Sequence, residues 1–410
     1  MKGPAKRQLG RGPQLRRRVS FPLLVLYGLG TTVGAGVYAL IGEVAGLAGL
    51  WAPAAFGLAS LLACATALAF AELSSRHPKA AGEAEYVRQA FSWPALARAV
   101  GLAVVLAGIV SAAAVANGFA GYLGALVPTP PLLAITLLIV ALAGIAVAGV
   151  RESLWVAGGI TVLEVGGLLA VVAAVNLADA SPPISAASTS AVPIAGIVSA
   201  ATLAFYAFLG FEDMVNVAEE VKDVRRTLPR AILWTLALTA ALYMAVAFAA
   251  VGSVSPADLA ASDAPLALVY ERAVGREPIE LVTIGALAMI NGALIQIVMA
   301  SRVLYGLAER GLLPAALGRI SARTGTPWIA TCAVAAVVWL LAVAFPLAGL
   351  ARVTALLALG VFGVVHASLF VLHRREPAPA EVFHCPRWVP PVGASCSLVL
   401  IVLEIVRRLE

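Results

Sequence analysis

The sequence predicts an all-α polytopic membrane protein, built as two inverted five-helix repeats with broken first and sixth helices and one extra C-terminal helix. Three observations predict it. Of 410 residues, 61% are hydrophobic and only 12% charged, against roughly 45–50% and about 25% in a soluble domain. Uncharged runs long enough to cross about 30 Å of hydrocarbon recur along the chain. Two of these runs, five helices apart, are interrupted in mid-span by glycines or acids. The same composition excludes a soluble globule, a disordered chain and a disulfide-stapled secreted fold. Cys64, Cys332, Cys385 and Cys396 read as packing residues rather than ligands or bridges.

Residues 1–20 carry seven cations and no acid, so the positive-inside rule places this segment in the cytoplasm. The apolar run behind it continues to full span length, so it is expected to stay as a helix rather than be cleaved. Eleven spans follow, near 22–45, 50–72, 95–123, 131–149, 154–176, 193–218, 230–252, 279–306, 327–347, 350–372 and 389–406. With the N-terminus inside, strict alternation puts 23 of the 28 Lys and Arg on the cytoplasmic side and five outside. The exception is Arg407 and Arg408, which an odd number of spans leaves outside.

The expected organisation is a basic N-terminus (1–20), a first repeat (21–176), an external loop (177–192), a second repeat (193–373), a cytoplasmic loop (374–388) and a last helix with the C-terminus (389–410). The basic loops at 222–228 and 310–326 suit anionic membrane lipid rather than nucleic acid. The preference for Arg over Lys, 24 to 4, points to a bacterial origin and a plasma or inner membrane.

The first span contains Gly28, Gly30, Gly34 and Gly36. Such density serves either close helix packing or an unwound middle whose free amides face an anion. The sixth span runs from Ala204 through Phe205, Tyr206, Phe208, Leu209 and Gly210 to Glu212 and Asp213. Carboxylates in a span cost roughly 2.5–3.5 kcal/mol and mark function unless hydrated. Each interrupted helix opens a block of five, and five is odd, so the second block enters from the opposite side. Paired interruptions of this kind point to a transporter site at the midplane.

Five blocks of residues then resemble a known family. They are Gly34-Ala35-Gly36-Val37-Tyr38 continuing to Gly42-Glu43-Val44-Ala45-Gly46; Ala71-Glu72-Leu73 with Pro78 and Gly82-Glu83-Ala84-Glu85-Tyr86-Val87; Gly149-Val150-Arg151-Glu152-Ser153; Gly210-Phe211-Glu212 through Ala218-Glu219-Glu220-Val221-Lys222 to Pro229; and Ser301-Arg302-Val303-Leu304-Tyr305-Gly306 through Gly311-Leu312-Leu313-Pro314. In this order they resemble the amino acid, polyamine and organocation transporter superfamily, and most closely its cationic amino acid transporter branch and related bacterial permeases.

The resemblance implies a substrate amino acid between helices 1 and 6. Its carboxylate would meet amides of Gly34, Ala35 and Gly36, and its ammonium carbonyls near Thr31, Thr32, Val33, Phe208 and Leu209. Tyr206 or Phe205 would close the external path. Glu43 matches a family glutamate near the outer end of the first helix or is a plain interfacial carboxylate. Glu219 and Glu220 would join a cytoplasmic ion-pair network, or remain solvated. Glu212 and Asn291 are gate or pathway candidates.

Two departures bear on coupling. Where the family often has a fifth-helix lysine, this chain has Glu164, and Ala107 replaces the branch's third-helix glutamate. Glu164 is therefore expected to carry a proton in the cycle; the alternative is an uncoupled facilitator or exchanger in which it only orders the first helix. Sodium coupling is disfavoured, because Thr283 and Ser301 are the only Thr and Ser residues of the eighth span and both lie toward its ends. Asn291 and Gln296 either line the pathway or, the favoured reading, make helix-to-helix hydrogen bonds, and for His366 an interhelical bond is favoured over a proton relay. The substrate is expected to be an amino acid, with small or neutral side chains favoured. No zinc-binding His pair, nucleophile turn or phosphate loop is present, so neither an enzyme nor a cofactor is expected. A membrane amino acid sensor is a distant alternative.

Overall fold

The computed structural model describes residues 19–78, 82–148, 154–178, 194–309, 313–376 and 379–409. Helices dominate throughout, as they must where hydrocarbon offers the backbone no hydrogen-bond partner. In chain order they are α1 (Phe21–Thr32), α2 (Ala35–Ala48), α3 (Ala52–Arg76), α4 (Gly82–Phe91), α5 (Pro94–Leu126), α6 (Pro131–Ala148), α7 (Leu154–Leu177), α8 (Ile194–Ala207), α9 (Val224–Ser253), α10 (Pro256–Ala261), α11 (Pro265–Val274), α12 (Ile279–Glu309), α13 (Trp328–Ala344), α14 (Leu347–Arg375) and α15 (Val389–Leu409).

Among the described residues nine apolar stretches are long enough to cross a membrane, with Phe21–Thr32 and Trp328–Ala344 as shorter ones. One of the nine, Ala35–Arg76, has 42 residues, which at 1.5 Å per residue is about twice the hydrocarbon thickness. It is a hairpin, turned at Gly49 (φ +59°) between α2 and α3. Joining α1 with α2, and α8 with the 3-10 stretch behind it, gives eleven crossings among the described residues, at the positions expected to within a few residues. The chain is a multi-pass membrane protein. The short helices α4, α10 and α11 have no counterpart in the apolar-run reading, because with ten, six and ten residues each falls well short of the roughly 20 a span needs.

Several contacts define one face of the molecule. The chain at Val19 pairs in parallel with Val221, and the Lys222 amide donates to the Val19 carbonyl at 3.0 Å. Arg225 pairs with Glu381 at 3.1 Å, Arg76 reaches the Glu376 carbonyl at 3.4 Å, and Arg375 reaches the Ala90 carbonyl at 2.7 Å. This is the basic face. At the opposite face Arg352, early in α14, pairs with buried Glu404, late in α15, at 3.1 Å. The last helix therefore ends where α14 begins, away from the basic face, so Arg407 and Arg408 lie on the less basic side that an odd count requires.

Candidate functional site

The first crossing is broken where its glycines cluster. α1 ends at Thr32, Val33 is extended (φ −84°, ψ 99°), and α2 restarts at Ala35. Three carbonyls thereby lose their helical partners at the end of α1, and the first amides of α2 have no partner within their own helix.

The sixth crossing breaks at the same depth. α8 stops at Ala207, and Phe208, Leu209 and Gly210 form turns before Phe211–Glu220 continues as a 3-10 helix. Ten residues of 3-10 helix is well beyond the usual three or four, a mark of a hinge or of strain. Gly210 has φ +122°, a region that L side chains rarely adopt. The Glu212 carboxylate accepts from the Gly210 amide at 2.8 Å, so this acid fixes the break instead of lying loose in the span.

The two breaks lie against each other. A Cβ on Gly36 would come within 2.6 Å of the Ala207 Cα, and one on Gly210 would overlap the Thr31 carbonyl. Tyr243 of α9 ties them together: its hydroxyl points at the carbonyls of both Thr32 (2.8 Å) and Ala207 (3.0 Å). These carbonyls close α1 and α8 respectively, so one phenol caps both half-helices. The surroundings are sealed, with Val33 and Phe208 fully buried, Thr32 3% exposed and Tyr206 6%.

The two aromatics of the sixth helix part company. Tyr206 shares a hydrogen bond with the Ser111 hydroxyl of α5 at 3.0 Å. Phe205 turns the other way, edge-on to Phe362 at 6.1 Å, in a cluster with Phe70 and Phe211. Of the pair, Tyr206 is the one that bridges to the third crossing.

Glu164 faces the broken first helix from α7. One turn earlier, Thr161 abuts Gly30, where a Cβ would overlap its hydroxyl. The Glu164 backbone carbonyl accepts from Tyr38 of α2 at 2.8 Å. The Glu164 side chain is 1% exposed, and among the described residues neither of its oxygens has a partner in full hydrogen-bond geometry. The Asn291 amide of α12 is a polar side chain that interacts with it. Two residues expected at separate places are thus brought together.

Other candidates lie farther off. Glu43 is half-buried on α2, beside Gly42, which packs on the Leu259 carbonyl of α10. Gln296 packs on Gly108, and His366, fully buried, meets the Thr66 hydroxyl at 3.3 Å and lies against Gly393. The side chains of Glu219 and Glu220, and the block from Gly149 to Ser153, lie outside the described residues.

Sequence reasoning assigned no role to a second cluster at the basic face. Glu72, fully buried at the end of α3, accepts from Arg76 Nε (2.7 Å), from His373 Nε2 of α14 (2.9 Å) and from the Cys385 amide (2.7 Å). Ser75 accepts from the Phe383 amide at 3.2 Å. One carboxylate thereby ties α3, α14 and the 379–388 connection together. Burial first, then the Glu72 carboxylate and Cys64, pushes the Cys385 thiol up to about 12. On α4, burial holds the Glu83 carboxyl above the usual carboxylate range.

The amino acid permease family profile matches residues 21–408. The chain belongs to the amino acid permease family. An uncharacterized transporter of Mycobacterium tuberculosis is 30% identical over 390 residues, covering 94% of this chain and 86% of the relative. A branched-chain amino acid permease of Bacillus subtilis is 27% identical over 394 residues, covering 91% and 84%. A vacuolar cationic amino acid transporter of Arabidopsis thaliana is 30% identical over 394 residues, covering 89% of this chain and 61% of the plant protein. The permease is thus a transporter, and the resemblance stated from its motifs holds.

Proposed function

We propose that this permease moves amino acids across the membrane by alternating access, with the substrate held between the two breaks. The observation that carries the proposal is the apposition of the Val33–Gly34 and Phe208–Gly210 interruptions, with Tyr243 joining them. A zwitterion needs an anion site and a cation site a few ångströms apart, and half-helix ends supply both. The substrate carboxylate lies on the amides of Gly34, Ala35 and Gly36, at the start of α2. Its ammonium group takes carbonyls from Thr31, Thr32, Val33, Phe208 and Leu209. Tyr206, bonded to Ser111, closes the path from the side opposite the basic face, which is cytoplasmic.

Transport is proton-linked, with Glu164 as the carrier. Glu164 is a carboxylate buried beside the first half-helix with no cation paired to it among the described residues, and an ionisable group inside a span is a proton-relay candidate. The test is uptake into proteoliposomes with and without a proton gradient. Glu164→Gln should abolish gradient-driven uptake and leave counterflow intact. Gradient-driven uptake equal to wild type by that variant refutes the carrier role and favours the exchanger or facilitator reading, in which Glu164 and Asn291 only order the first crossing. The cationic relatives do not decide the side chain carried. With Ala107 in place of the third-helix acid, the permease has no secure partner for a second positive charge, so small or neutral amino acids are favoured.

A further inference from the structure

The lipid-facing perimeter carries a groove that the proposed transport path does not use. It runs between α1 and α9, encloses about 370 Å³, and is lined by Phe21, Val25 and Leu29 on one wall and Trp234 and Leu238 on the other. Trp234 is 57% exposed and Leu238 43%, so their apolar surface faces outward. Four and eight positions before Trp234, toward the basic face, stand Arg230 and Arg226. Residues spaced by four share a helix face. Both arginines are exposed, and among the described residues neither side chain has a hydrogen bond or an ion pair, whereas the adjacent Arg225 is held by Glu381. Of the acids whose side chains are described, Asp223 is exposed at the start of α9; Glu219 and Glu220 precede it in sequence.

The vertical order of these groups is that of a phospholipid. At 1.5 Å per residue, Trp234 lies about 6 Å deeper than Arg230, and Leu238 about 6 Å deeper again. Guanidinium groups pair with phosphate, indole rings favour the headgroup boundary, and the apolar groove continues below both. We propose that this groove binds an anionic phospholipid of the leaflet at the basic face, its phosphate on Arg226 and Arg230 and one acyl chain between α1 and α9. Charge decides the occupant: an apolar groove alone accepts any chain, whereas two exposed cations at its mouth, without an ion pair among the described residues, select a headgroup with net negative charge. The lipid also has a mechanical consequence. Inside the protein, α1 is joined to α9 at its end by Tyr243 and, at the level of the groove, by a long contact of the Thr235 hydroxyl with the Val25 carbonyl, 3.5 Å. A lipid touching both helices from outside braces the half-helix that ends at the Val33–Gly34 break.

The test is native mass spectrometry of the full chain, purified in detergent and supplied with equal phosphatidylglycerol and phosphatidylcholine. Each cation near an anionic surface favours binding roughly fivefold, so the pair predicts retention of phosphatidylglycerol about thirtyfold over phosphatidylcholine. The double variant Arg226→Gln, Arg230→Gln should lose that preference. Leu238→Trp, which fills the groove and leaves both arginines, should lose the retained lipid itself. Arg319→Gln with Arg323→Gln, removing two exposed cations elsewhere, should keep the wild-type pattern. Undiminished phosphatidylglycerol retention by the Arg226/Arg230 variant, an equal loss in the Arg319/Arg323 control, or a wild-type preference for phosphatidylcholine overturns the proposal.

Discussion

Replacing Tyr243 by Phe isolates the group that joins the two half-helices. The ring contacts with Phe208 (5.1 Å between centroids) and Phe56 (5.9 Å) survive the substitution, so the change is confined to one hydroxyl. That hydroxyl serves the carbonyls of Thr32 and Ala207, both at helix ends and both shut away from water. A neutral hydrogen bond contributes about 0.5–1.5 kcal/mol, and a buried carbonyl left without a partner costs about 1–3 kcal/mol. The expected perturbation is about 2 kcal/mol, roughly a thirtyfold shift in any equilibrium where the bonds exist in one state alone. Two readouts are needed: thermal unfolding of the purified permease and the initial rate of amino acid counterflow in proteoliposomes. Tyr243→Phe should lower both the unfolding temperature and the rate. A variant that unfolds and exchanges substrate like the wild type would refute the claim that this phenol holds the breaks together.

The remaining predictions concern the basic face. Glu72→Ala leaves Arg76 buried without its counter-ion, and removing one partner of a buried pair costs about 3–5 kcal/mol; thermal unfolding should show the loss, and a double-mutant cycle with His373→Ala should be strongly non-additive. Cys385 should resist alkylation: at pH 8 about a quarter of an ordinary thiol is thiolate, against about one part in ten thousand for a thiol near 12. In a variant with Cys64, Cys332 and Cys396 changed to Ser, iodoacetamide should label Cys385 more than a hundredfold more slowly in the folded protein than in dodecyl sulfate, where equal rates would contradict the burial.

Span positions were legible because hydrocarbon imposes one rule, apolar length, that each helix must satisfy alone. Both breaks were legible too, since glycine density in the first span and Gly210 beside two acids in the sixth contradict that rule locally. What stayed hidden depends on distant contacts. Tyr243 stands in an apolar run of α9, where a phenol reads as ordinary packing until Thr32 and Ala207 are brought beside it. Glu72 and His373 are 301 residues apart, so no spacing pattern connects them. Glu164 and Asn291 were each singled out, but their pairing across α7 and α12 needed the fold. Phe205 and Tyr206 are adjacent in sequence and so project to different sides of α8, a divergence visible only once α5 and α14 are in place.

The central claim is that an amino acid's two charged groups are received by the ends of broken helices. Competition in a counterflow assay tests it directly. Once a transported amino acid is found, excess unlabelled amino acid should suppress exchange of the label, whereas its methyl ester and its decarboxylated amine, which lack the carboxylate meant for Gly34, Ala35 and Gly36, should not. Equal suppression by the amine would contradict the account, because the amides at the start of α2 would then have no anion to hold.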